Sequence, residues 1–147
     1  GDYVDLCAGP HLMSTGRVYF MAAHKLEHEL SAMKTEVAHG AGLAVIWPAY
    51  IKYLCAYDLP RFTRYAVKVW GCEMDFFHPE RTAAEGIART EAFFRAIGMP
   101  TRLGELGFDE SDIPALAAGC SQNGSVTLRN LIPIDQAKME EIYRLAL

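Results

Sequence analysis

No basic stretch, no closely spaced cysteine pair and no long uninterrupted apolar run occurs in this 147-residue sequence. Each absence removes a class of function. Fourteen Lys and Arg stand against eighteen Asp and Glu, for a formal net charge of −4. The cations are scattered, so no face suits a phosphate backbone or an anionic bilayer, and neither nucleic acid nor membrane is expected as a partner. Cys7, Cys55, Cys72 and Cys120 form no CxxC pair and no disulfide framework. With no signal-peptide pattern, this fits a reducing, cytoplasmic location. The longest apolar stretch, about residues 42–57, contains Pro48 and Lys52 and adjoins Asp58, which is too short and too interrupted to span a bilayer. Alternating strand patterns do not persist, and repeats, low-complexity segments and a βαβ unit are missing. Gly40-Ala41-Gly42 begins like a dinucleotide fingerprint, but no strand precedes it and no third glycine follows in place, so it is not read as a cofactor site.

What remains is a chain with 51% hydrophobic residues, enough for one core. Residues 1–17 are rich in Gly and Pro and read as irregular; residues 18–147 read as a helical domain. The spacing of apolar residues predicts a helix from Val18 to about Lys34 and a second from His39 or Gly40 to about Tyr57, bent at Pro48. Asp58 is a cap for a third helix, with Pro60 in its first turn and Gly71 at its end. His78-Pro79-Glu80 opens a fourth, which runs to Ile97 and stops at Gly98 and Pro100. Ser111 or Asp112 caps a short helix, Asn123-Gly124 is a turn, and Asp135 caps a last helix through Leu145. The expected class is all-α. Trp47, Trp70, Phe93, Phe94 and Tyr143 are spaced for burial. His78 is read as a surface or capping residue. Cys55, Cys72 and Cys120 are read as buried thiols, because no histidine is close to them in sequence.

The segment with chemical content is His24-Lys25-Leu26-Glu27-His28-Glu29-Leu30-Ser31-Ala32. Residues four apart on a helix share a face, so His24 and His28 stand one turn apart. Neutral imidazoles so placed can hold a divalent metal, or one can hold metal while the other meets substrate. A helix–loop–helix could return His39 beside His24. Two other readings stay open at this level. The pair could be a chance surface pair with Glu27 and Glu29 as solvated neighbours, or the inverted zinc-peptidase motif His-x-x-Glu-His with Glu27 as general base.

The run AHKLEHELSAMKTEVAHGAGLAVIWPAYIKYL resembles the metal-site segment of iron-containing alcohol dehydrogenases of the butanol dehydrogenase type. The resemblance continues through RFTRYAVKVWGCEMDFF, through HPERTAAEGIARTEAFFRAIGMPTRLGELG, and into the final EIYRLAL, so that it covers about residues 12–147. It implies the helical C-terminal domain of the dehydroquinate synthase-like fold, here incomplete. It also implies a small alcohol or aldehyde as substrate, and a metal, iron or zinc, held by an Asp and three histidines. The last two of those ligands map onto His24 and His39. His28 matches a histidine that lines the pocket and is assigned a catalytic role, orienting substrate or relaying a proton. NAD or NADP is implied as the hydride acceptor, bound mainly by an N-terminal domain that this sequence does not contain, with a homodimer or that missing half as partner.

The segment that would carry the Asp and the first His ligand is also missing. Two imidazoles fall short of the three protein ligands that catalytic zinc usually keeps, so turnover by this chain alone is not expected. Apolar surface that normally meets the missing parts should be exposed. A helical module serving only association is the alternative. GDYVDLCAGPH separately resembles a short stretch of the threonyl-tRNA synthetase editing domain. Cys7 and His11 with His24 and His28 would then be a four-ligand zinc site for hydrolysis. A hybrid, in which Cys7 or His11 replaces a lost dehydrogenase ligand, is a further option.

Overall fold

Six α-helices carry the chain: α1 (Gly16–Met33), α2 (His39–Cys55), α3 (Leu59–Trp70), α4 (Pro79–Ala96), α5 (Ile113–Cys120) and α6 (Gln136–Leu145). The computed structural model describes residues 16–147, with side chains from Met21 onward. Two 3-10 turns, Leu103–Leu106 and Glu110–Asp112, precede α5. Among the described residues the one strand-like pairing joins Leu128 and Ile134, whose amides donate to each other's carbonyls at 2.9 and 3.0 Å. The all-α reading therefore stands. None of the described helices is long and apolar enough to cross a membrane.

Local chemistry accounts for most of the boundaries. The Asp58 carboxylate accepts from the Arg61 amide at 3.3 Å and from its guanidinium at 2.6 Å, starting α3. Gly71, at φ 63°, ends that helix in the left-handed conformation that favours glycine. The next amide, Cys72, reaches back to the Ala66 carbonyl at 3.1 Å. Asp135 caps α6 through the Lys138 amide at 3.1 Å. The Asn123-Gly124 turn uses positive φ at both residues, and Gln122 joins them at φ 49°.

Two boundaries differ from the sequence reading. First, α2 runs through Pro48 but stops at Cys55, because Tyr57 and Asp58 both turn back to the Leu54 carbonyl. Second, Asp112 stands at the cap position of α5 but makes no cap hydrogen bond there; the capping bonds lie one turn earlier, where the Asp109 carboxylate accepts from the Ser111 amide at 2.8 Å and Asp112 accepts from the Asp109 amide at 3.0 Å. Glu110–Asp112 form a 3-10 turn that feeds α5, so Ser111 and Asp112 lie inside the turn. His78 occupies the position before α4 and is exposed, as read from the sequence; its ring pairs with Glu80 and makes no cap hydrogen bond. Asp75 organises that turn by accepting from the Phe77 and His78 amides at 3.0 and 2.8 Å, which holds its carboxyl below the usual range.

α1 packs on α2 and α5, α2 also meets α4 and α6, α5 meets α6, and α3 lies along α4. Two small residues set the α3–α4 approach. A Cβ added at Gly86 would collide with the Ala66 side chain and stand 2.7 Å from its Cα. Backbone cannot move aside there as a side-chain tip could. Gly86→Ala should therefore cost roughly 2 kcal/mol: overpacking typically costs about 1–3 kcal/mol, offset by up to about 1 kcal/mol of helix propensity. Chemical denaturation would read the loss as a lower midpoint at unchanged slope.

Of the aromatics expected inside, Tyr143 is fully buried and Trp47, Trp70 and Phe94 are partly covered. Phe93 is 48% exposed, resting at the surface against the Trp70 ring at 5.9 Å. Cys72 and Cys120 are buried, and burial pushes the Cys120 thiol up to about 12, far from a nucleophile's range. Cys55 is only half-buried, yet burial raises its thiol as well. Exposed apolar side chains do occur: Phe76 and Phe77, in the α3–α4 connection, are 82% and 92% exposed.

Candidate metal centre

The buried stripe of α1 is made by Ala22, Ala23, Leu26, Glu27 and Leu30. Three of its members are apolar at i, i+3 and i+7 from Ala23, and Glu27 takes the i+4 place in that pattern. One turn of α1 thus points a carboxylate inward, toward α2. The adjoining face carries His24, which is partly covered, and His28, which is exposed.

His39 is the first residue of α2. The five residues between α1 and α2 fold it back over α1, with the Val37 amide donating to the Lys34 carbonyl at 3.0 Å. The three imidazoles meet as a result. Ring centroids lie 5.0 Å apart for His24 and His39, 5.4 Å for His28 and His39, and 6.2 Å for His24 and His28. One ligand atom each from Glu27, His28 and His39 falls within a 4.8 Å cluster, a spacing that could hold a metal ion.

Glu27 is completely buried. Its Oε1 accepts from the Ser31 hydroxyl at 2.5 Å, and its Oε2 meets His39 Nδ1. Among the described residues, Oε2 has no hydrogen-bond partner, and its one close polar neighbour is His39 Nδ1. Gly42, one turn into α2, makes the room: a Cβ there would stand 2.5 Å from Oε1 and 2.7 Å from Cγ of Glu27. The reading of Glu27 as a solvated neighbour is therefore corrected. A carboxylate on the buried stripe cannot reach solvent, and α2 covers it. The same burial argues against a peptidase-type general base, since the carboxylate is completely covered. Gly42, passed over as a fragment of a dinucleotide loop, has a packing role here.

The donor set suits a divalent transition metal. Imidazole nitrogen accepts both zinc and iron, and geometry alone does not choose between them. Cys7 and His11 lie outside the described residues.

The sequence profile described as the Fe-containing alcohol dehydrogenase family, C-terminal, matches residues 3–147. The chain belongs to the iron-containing alcohol dehydrogenase family. Within it, the chain is 32% identical over 134 residues to the NADH-dependent butanol dehydrogenase A of Clostridium acetobutylicum, covering 90% of this chain and 34% of that protein. It is 33% identical over 135 residues to the NADPH-dependent aldehyde reductase YqhD of Escherichia coli, covering 92% of this chain and 34% of that one. The crystal structure of NADH-dependent butanol dehydrogenase A from Thermotoga maritima superposes with a TM-score of 0.76 at 30% identity, over 85% of this chain and 32% of its own. The chain thus spans about a third of the length of the relatives it matches. The helical fold is that of this dehydrogenase family's C-terminal part. The match begins at residue 3, within the segment likened to a threonyl-tRNA synthetase, and nothing found supports that second likeness.

Proposed function

We propose that this chain supplies the metal-holding histidines of an NAD(P)-dependent alcohol dehydrogenase that interconverts a small alcohol and its aldehyde. The observation that carries the proposal is the convergence of His24, His28 and His39 from two helices, ring against ring, beside a buried carboxylate. Family membership supports the reaction class, and the names of the relatives include both NADH and NADPH as reductants.

In this reading His24 and His39 hold a divalent ion, iron or zinc. When bound, such an ion supplies Lewis acidity toward an alcohol or carbonyl oxygen. His28 is exposed beside the pair. A ring nitrogen there can hold the substrate hydroxyl by a hydrogen bond and take up its proton as hydride leaves carbon. The nicotinamide would be held by the remainder of a longer protein or by a separate N-terminal half, and the exposed edges of His28 and His39 would face that part. On this reading the isolated chain binds metal weakly and does not turn over.

Metal content and affinity of the purified chain provide the test, with His24→Ala and His39→Ala alongside. Each substitution should weaken zinc or cobalt binding by more than the roughly 10–100-fold typical of losing a hydrogen-bond partner behind a ligand. Adding a separately expressed N-terminal half should restore alcohol-dependent reduction of NAD or NADP, and neither histidine variant should support it. Metal binding or restored activity that is indifferent to both substitutions would defeat the proposal.

A further inference from the structure

The Glu27 carboxylate is unusual for its place. It sits on the apolar stripe of α1, is completely buried, and has a glycine opposite it where any side chain would intrude. Burying a carboxylate is costly unless its oxygens are satisfied. Here one oxygen takes the Ser31 hydroxyl and the other meets only His39 Nδ1. The Ser31 hydroxyl also lies 3.3 Å from the Val37 carbonyl, in the connection that delivers His39. The arrangement is built from both helices and the loop between them.

We propose that Glu27 is a positioning residue for His39, fixing the ring and its tautomer so that Nε2 is the nitrogen left free for a metal. A neutral imidazole carries its proton on one nitrogen and a lone pair on the other. In the proposed form the Nδ1 proton faces Glu27 Oε2, so the lone pair resides on Nε2, and turning the ring would separate the pair. A carboxylate behind a ligating imidazole also strengthens the ring as a ligand. Ser31 holds the carboxylate in turn, and Gly42 lets α2 approach closely enough for the contact to form. The inference rests on the metal reading above for its purpose. Its physical claim, that Glu27 sets the His39 tautomer, stands apart from metal.

The experiment uses the whole 147-residue chain, with Glu27→Gln, Glu27→Leu and Ser31→Ala, and circular dichroism to verify the fold of each. Nitrogen NMR of the imidazoles in the metal-free chain reports the tautomer of His39, and zinc titration reports affinity. In the unaltered chain His39 should be the Nδ1–H form. Glu27→Gln keeps an acceptor oxygen and should keep that tautomer, while zinc affinity falls by about 10–100-fold because the charge is lost. Glu27→Leu should lose the tautomer preference as well as affinity, and Ser31→Ala should give a smaller fall in affinity with the tautomer kept. If Glu27→Leu does not fold, Glu27→Gln and Ser31→Ala still decide the matter.

A mixed His39 tautomer in the unaltered chain, or one unchanged by Glu27→Leu, overturns the proposal. So does zinc affinity in Glu27→Gln equal to that of the unaltered chain. Zinc binding abolished by Glu27→Leu with the tautomer intact would make Glu27 a direct ligand and likewise overturn it. Failure of the metal reading looks different: zinc uptake is then indifferent to His24→Ala and His39→Ala, while the tautomer continues to report whether Glu27 sets the ring.

Discussion

Tyr143→Ala is expected to remove about 3–5 kcal/mol of stability, about a third or more of what a typical domain has. The ring is fully buried in the core between α6 and α1. Its hydroxyl donates to the Leu26 carbonyl at 2.7 Å, joining residues 117 positions apart in sequence. Large aromatic-to-alanine changes in cores cost roughly 3–5 kcal/mol through lost contacts and the cavity left behind, against a total stability of about 5–15 kcal/mol for a typical domain. Tyr143→Phe keeps the ring and should cost only about 1 kcal/mol, the ordinary worth of one hydrogen bond. The pair of variants separates packing from the tie to α1, with denaturant midpoints as the readout.

The same residue gives the fold an alkaline limit. Burial, with the charges of Cys120, Glu29 and Glu27 acting in the same direction, pushes the Tyr143 phenol well above its ordinary value. A raised acid favours the neutral form in the folded state. Its stabilisation is therefore complete below the unfolded phenol's value of about 10 and declines as pH rises past it. Cys120, pushed up to about 12 by burial, begins the same decline earlier, near the ordinary thiol range of about 8.5. Stability measured against pH should fall above that range, and Tyr143→Phe should flatten the upper part of the fall. An identical alkaline slope in the phenylalanine variant would contradict this account.

Gly42→Ala should disable the candidate metal site while leaving most of the fold's stability in place. The added methyl would stand 2.5, 2.7 and 3.0 Å from Oε1, Cγ and Cδ of Glu27. The carboxylate is completely buried, so it cannot swing clear without breaking its contacts to Ser31 and His39. Overpacking costs about 1–3 kcal/mol, and replacing a helical glycine by alanine returns about 1 kcal/mol. The net stability change is modest. The chemical change is large, because displacing Glu27 releases His39, and zinc affinity should drop by about 10–100-fold, as in the Glu27 variants. Isothermal titration with zinc alongside a thermal melt measures both. A variant that melts far below the parent yet binds zinc equally well would show that the glycine serves packing alone.

Much of the architecture could be read from the chain. The 3.6-residue apolar period, Asp58 and Asp135 as caps, Pro60 and Pro79 in first turns and Gly71 at a helix end all act within a few residues, so sequence exposes them directly. Asp112 stands at the cap position of α5 without a cap bond because the 3-10 turn ahead of the helix draws its carboxylate back to the Asp109 amide, and no local signal announces that turn. Phe93 shows the limit of periodicity. It marks a helical face, but whether that face is covered depends on what lies opposite.

At the site, the sequence alone determined that His24 and His28 share a helix face and that a short connection follows before His39, since both are consequences of spacing on one chain. It also held a clue to Glu27, which stands i+4 from Ala23 and one residue from Leu26 on the apolar stripe, where a charge calls for a partner. Only the tertiary structure decided who that partner is. Bringing His39 Nδ1 to the carboxylate depends on the angle at which α2 crosses α1, and that angle depends on the missing side chain at Gly42 and on the α6 tie from Tyr143 to Leu26. Those are contacts between residues distant along the chain. Close packing sets them, and packing is a property of the assembled helices rather than of any one segment.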